Sequence, residues 1–237
     1  MSHYITRYLA GETQQVWDEI SQLNYPNLSS GVQTDIQSVC EETIRRVRHN
    51  AEMLISALAS IGFEFGLYPD GEKLHAFSVP LEEPAPDIER KIIELESKVG
   101  PLPMTMRAFW RQMGSICLIG RHPDWPEYSD PLVVDPIEAS FEMLEHWEEF
   151  VEECGIDEAG PFRVAVGPDS YHKDNVSGGD WYGIVLPCQT VDARVTDEPH
   201  ATTFVNYLRI AFQARGFPGA SELPRTFKAL DIKLIRF

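Results

Sequence analysis

The chain has 237 residues, 37 acidic side chains against 20 basic ones, a formal net charge of -17 and 43% hydrophobic residues. It therefore holds enough apolar material to bury a core without disulfide or metal staples. The charge repels nucleic acid, whose phosphates need Lys and Arg, and suits a basic partner instead. No run of about 18 apolar residues is present to span a membrane, and the start, MSHYITRYLAGETQQVW, lacks the apolar run of a signal peptide. The expected location is the cytoplasm. The four cysteines, Cys40, Cys117, Cys154 and Cys188, form no C-x-x-C pair and sit among apolar residues, so reduced, buried thiols are expected.

In chain order, a helix is predicted from about Gln33 to Ile61. Ile36, Cys40, Val47, Leu54, Ile55 and Leu58 keep helical spacing, Thr34 with Gln37 fits a capping box, and Gly62 fits a stop. A hairpin follows: Phe63, Phe65 and Leu67 alternate, Pro69-Asp70-Gly71 supplies a turn, and Leu74 to Val79 returns. Pro80 to Pro86, with three prolines and two glutamates, reads as a linker. A second helix spans about Asp87 to Val99, with Ile88, Ile92, Leu95 and Val99 on one face, ended by Gly100-Pro101. A third carries Met106, Phe109, Trp110 and Met113.

Ile116 to Ile119 reads as a short strand, HPDWPEYSDP as a loop and Leu132 to Val134 as another strand. A fourth helix runs from about Ile137 to Cys154. Phe162 to Val166 and Tyr182 to Leu186 read as strands around the polar loop PDSYHKDNVSGGD. A fifth helix, Phe204 to Arg215, buries Phe204, Leu208, Ala211 and Phe212, and DIKLIRF reads as a closing strand. Without a regular βαβ order, the expected class is α+β with a central, mainly antiparallel sheet flanked by helices. The expected layout is a single domain over 1–237, with residues 1–80 as an N-terminal helix and hairpin extension and 87–237 as the main portion.

The acids are concentrated. Between Arg121 and Arg163 there is no Lys or Arg, and thirteen acids fall there. In the fourth helix Ile137, Phe141, Leu144, Val151 and Cys154 make the buried face, while Glu138, Glu142, Glu145, Glu149 and Glu152 step by four and three residues into one stripe. Such a stripe is either a solvated face or a docking surface for a basic partner. Trp147 beside it reads as core or as an interface anchor. In the loop before it, Asp124, Trp125, Glu127 and Tyr128 are the further candidate contacts, with Trp125 packed over a sheet edge as the alternative.

Chemical motifs are sparse. There is no G-x-G-x-x-G, P-loop, H-E-x-x-H or G-x-S-x-G. His122 with Asp124 and His172 with Asp174 have the form His-x-Asp, which with His200 would supply metal or catalytic groups, but His and Asp are common in loops and loop structure is the simpler reading. Asp124-Trp125-Pro126 and Asp130-Pro131 suit turns. Ser177-Gly178-Gly179 suits an anion-binding nest or a plain turn. No catalytic residue, metal ligand or cofactor is assigned.

The segment Ile88 to Gly114 resembles the start of the SMI1/KNR4 (SUKH) superfamily. The carrying residues are the helix IERKIIELESKVG, then Pro101-Leu102-Pro103, then MRAFWRQMG. HPDW…DPLVVDP, KDNVSGG and FVNYLRIAF…GFPG are similar to a bacterial branch of uncharacterised proteins near it, so the resemblance covers about 87–219. Members often carry Gly-Gly or Asn-Gly after the second helix, whereas this chain has Met113-Gly114-Ser115, which makes it a relative rather than a core member. The resemblance implies an SMI1/KNR4-like α+β fold and a non-enzymatic role: an immunity protein neutralising a bacterial toxin, or a regulatory or scaffold protein. A metal-dependent enzyme using the His-x-Asp loops is the third reading.

Overall fold

A computed structural model describes residues 3–74, 79–125 and 130–237. Two short helices, α1 (Tyr4–Leu9) and α2 (Thr13–Ile20), precede the long α3 (Ser30–Ser60). The Asp35 carboxylate on α3 accepts the Tyr4 N–H at 2.6 Å and the Ile5 N–H at 3.3 Å, so one helix supplies the cap the other lacks. Buried Tyr8 and Trp17 share the Thr43 hydroxyl, which donates to Tyr8 at 2.9 Å and accepts from Trp17 Nε1 at 3.2 Å. The α3 stripe is buried as its spacing requires, Ile55 being only partly so. The helix starts three residues earlier than expected, and the Thr34 capping box does not form: its hydroxyl donates back to the Ser30 carbonyl at 2.9 Å inside the helix.

The hairpin is only partly as read. Tyr68 N–H donates to Glu72 O at 2.8 Å and Leu74 N–H to Gly66 O at 2.9 Å around the Pro69–Gly71 turn. However, β1 (Glu64–Phe65) takes its strand partner from β4 (Gly120–Arg121), far along the chain. Most of the expected return arm, residues 75–78, lies outside the described residues. The presumed linker holds a strand, β2 (Leu81–Glu82), which pairs with β3 (Ser115–Cys117). The prolines flank this strand rather than occupy it. Gly114 permits the approach: its N–H donates to Glu82 O at 2.8 Å, and a Cβ there would meet Glu83 O at 2.2 Å.

Helices α4 (Ile88–Val99) and α5 (Met104–Gln112) follow β2 as their apolar spacing predicts. The third-helix residues Met106, Phe109, Trp110 and Met113 are all fully buried. Strand β5 (Val133–Val134) pairs antiparallel with β3. Then come α6 (Ile137–Cys154), α7 (Ile156–Ala159), β6 (Arg163–Gly167), α8 (Ser170–Lys173), β7 (Tyr182–Val185), α9 (Phe204–Gln213) and α10 (Arg225–Lys228). Among the described residues the strands form three small antiparallel sheets, β1–β4, β2–β3–β5 and β6–β7, rather than one central sheet. The α+β class stands; the single sheet does not, and in the first two of these sheets strands of two or three residues leave little ladder to join.

DIKLIRF is not a strand. Its backbone is held by side chains instead: Asn50 both donates to and accepts from Ile235 at 2.8 Å, and Arg209 Nε donates to Phe237 O at 2.7 Å. The main hydrophobic core runs from Tyr8 to Phe237 and takes in Tyr8, Val16, Trp17, Ile20 and the α3 stripe, beside a smaller cluster of Cys117, Ile119 and Val133. The four cysteines are free; Cys40 and Cys117 are buried, Cys154 and Cys188 only partly so. Among the described residues no helix is long and apolar enough to cross a membrane.

Candidate functional site

Helix α6 occupies the predicted residues, entered from Pro136 and ended at Gly155, whose φ of 86 suits glycine. Its first half is anchored. Ile137 and Leu144 are buried, and Phe141, Met143 and Trp147 pack against the core. The Trp147 ring lies 5.7 Å from Phe162, and its Nε1 donates to Gly160 O at 3.1 Å, which settles it as a packing residue. The second half is more open, with Phe150 exposed and Val151 and Cys154 half-buried.

The five stripe residues fall into two groups. Glu138 is half-buried and accepts from Lys91 Nζ at 2.6 Å. Glu142, Glu145, Glu149 and Glu152 are exposed, and no Lys or Arg pairs with them among the described residues. The His146 ring Nδ1 lies 3.9 Å from Glu149.

The upstream loop differs from its reading. Trp125 is 8% exposed, with its ring 4.9 Å from Phe217 and 4.8 Å from Phe227. It is packed inside, not presented to a partner, because two phenylalanines far along the chain form a pocket for it. Asp124 is exposed in the turn below it, its N–H donating to His122 Nδ1 at 3.2 Å. Glu127 and Tyr128 lie outside the described residues.

Beside the start of α6 lies a cavity of about 910 Å³, closed on the other side by the Pro168–Ser177 loop and by Tyr68 and Leu74. Asp135, Glu138 and Glu142 line one wall and His172 another. Burial pushes the Asp135 carboxyl up to about 7; Glu142 adds to this and Lys173 opposes it. The His172 ring is fixed by its neighbour: Nδ1 lies 2.5 Å from the Asp169 carboxylate, which also caps α8 by accepting the Tyr171 and His172 N–H groups. A carboxylate partner puts the ring proton on Nδ1. Gly179, at φ +80, lies against this carboxylate.

Beneath the cavity sits a buried charge cluster that sequence reasoning missed. Lys173 is 1% exposed, and its Nζ donates to Asp130 Oδ1 at 2.6 Å. Tyr182 donates to Asp130 Oδ2 at 3.0 Å, and the ammonium lies 4.4 Å from the Tyr182 ring centroid. Burial lowers the pKa of Lys173 while Asp130 raises it. Asp130 has φ 41, a conformation that a non-glycine residue holds when its surroundings fix it. Here two partners grip its carboxylate. The available signal was a lone Lys between polar neighbours in HKD, which reads as exposed. Among the described residues no three His, Cys, Asp or Glu side chains gather to hold a metal, and His122 instead points Nε2 at Ile61 O, 2.8 Å away.

No protein-family model, curated protein or solved structure matches this chain.

Proposed function

We propose that this protein is a non-enzymatic, cytoplasmic binding module that docks a basic protein on the acidic face of α6, as an immunity protein docks a toxin. The observation that carries this reading is the set Glu142, Glu145, Glu149 and Glu152, exposed and without Lys or Arg partners among the described residues, on a helix anchored through its opposite face. Like charges at this spacing cost roughly 0.2–0.5 kcal/mol per pair. A basic partner would relieve that repulsion and be steered to the face over long range. Toxin nucleases must be basic to hold nucleic acid, which fits an acidic inhibitor. The SMI1/KNR4 resemblance supports the same role.

The test is co-purification with the product of the adjacent gene, comparing the wild type with E142K/E145K/E149K. These side chains are exposed, so the variant keeps its core. The expected result is a stable complex with the wild type and loss of at least tenfold in affinity with the variant. Equal affinity would remove the face from the interaction.

A further inference from the structure

We infer that the cavity between α6 and the Pro168–Ser177 loop is a binding site for a small organic cation, an amine or guanidinium carried on an apolar body. Its volume, about 910 Å³, is that of a small-molecule site. Its walls combine apolar surface from Tyr68, Leu74, Ile119, Met143 and Val176 with acids on one side only. Among the described residues no Lys or Arg lines it. Lys91 is engaged by Glu138 and Lys173 by buried Asp130.

Asp135 gives the site its direction. It is half-buried, and it lines the cavity. Its backbone is satisfied: the N–H donates to Val166 O at 2.8 Å and the carbonyl accepts from Trp110 Nε1 at 3.2 Å. No hydrogen bond to its carboxylate is found among the described residues. A half-buried carboxyl at a cavity wall, with no protein donor, is open to a donor from a ligand. A bound ammonium or guanidinium would supply both the donor and the countercharge, with Glu142 adding to the same field. An anion would be repelled, and a neutral apolar ligand would leave Asp135 unpaired.

This site does not depend on the docking reading, although Glu138 and Glu142 border both. The cation has two possible sources with one chemistry: a free amine or the basic side chain of a partner.

The experiment is calorimetric titration of the full chain with phenethylamine, agmatine, Nα-acetyl-arginine amide and the neutral isostere 2-phenylethanol. We expect saturable one-to-one binding of at least one cation, at least tenfold tighter than 2-phenylethanol. It should weaken at least tenfold in Asp135→Asn and be unchanged in Glu153→Gln, an exposed α6 residue outside the cavity and the stripe. Preference for the capped arginine assigns the source to a partner side chain, and preference for agmatine or phenethylamine to a free amine; both support the site. If Asp135→Asn fails to fold, Glu142→Gln and the cavity-filling Met143→Trp take its place. Absence of saturable cation binding, equal binding of the alcohol, or indifference to these variants would overturn the inference. Loss of amine binding in Asp135→Asn with retained capture of a basic protein would separate this site from the α6 face.

Discussion

Two groups of charges, one around Lys173 and one along α6, are treated in opposite ways. Around Lys173 the charges are inside, and each has a named partner: the ammonium on Asp130, the second Asp130 oxygen on Tyr182. Along α6 the charges are outside, and four successive glutamates of one stripe have no Lys or Arg among the described residues. A buried charge must be matched within the chain or the fold fails, whereas an exposed charge can be left for something else. The first group therefore reports on stability and the second on association.

The comparison can be broken most strongly at Lys173. Lys173→Met leaves Asp130 buried without its cation and should cost about 3–5 kcal/mol, read by urea unfolding at neutral pH. A loss under about 1 kcal/mol would show that the pair is not the fixed element described. Adding Asp130→Asn to that variant should recover part of the loss, since the uncompensated charge is then gone.

Asp135 belongs to neither group, which gives a pH signature. Its folded pKa is raised to about 7, above the usual carboxylate value near 3.9. The folded state therefore holds a proton that the unfolded state releases, and stability falls as pH rises from about 4 through about 7. Asp135→Asn removes this dependence. It should be more stable than the wild type at pH 8 by about 1–3 kcal/mol, an order of magnitude set by about 1.4 kcal/mol per pKa unit. The gain should shrink as pH falls toward 4. Denaturant midpoints across that range measure it, and a gain that is the same at pH 4 and pH 8 would contradict the cause assigned to the shift.

The smallest effect sharpens the other side of the comparison. Glu145→Gln with Glu149→Gln should stabilise the free protein by a few tenths of a kcal/mol. The gain should fade as salt screens the repulsion. Destabilisation would mean that these glutamates have partners of their own.

How much of this was legible in the sequence follows from the range of the forces involved. The α6 bounds and its stripe were readable because apolar spacing, Pro136 and Gly155 are local, and exposure follows from the helical repeat. Strand β2 was not, since two residues among prolines carry no alternation, and β1 with β4 is paired by contacts far apart in sequence. The pocket of Trp125 was not legible for the same reason, being made by Phe217 and Phe227. Lys173 was hidden because a lysine in a polar loop gives no sign of an aspartate waiting inside, 43 positions away.

The most direct test of the account is the association rate of the captured basic partner with the wild type and with E142K/E145K/E149K, followed as ionic strength rises. The account predicts a fast, steeply salt-dependent rate for the wild type and, for the variant, a rate at least tenfold slower at low salt and nearly flat with salt. Identical rates and identical salt dependence would contradict it.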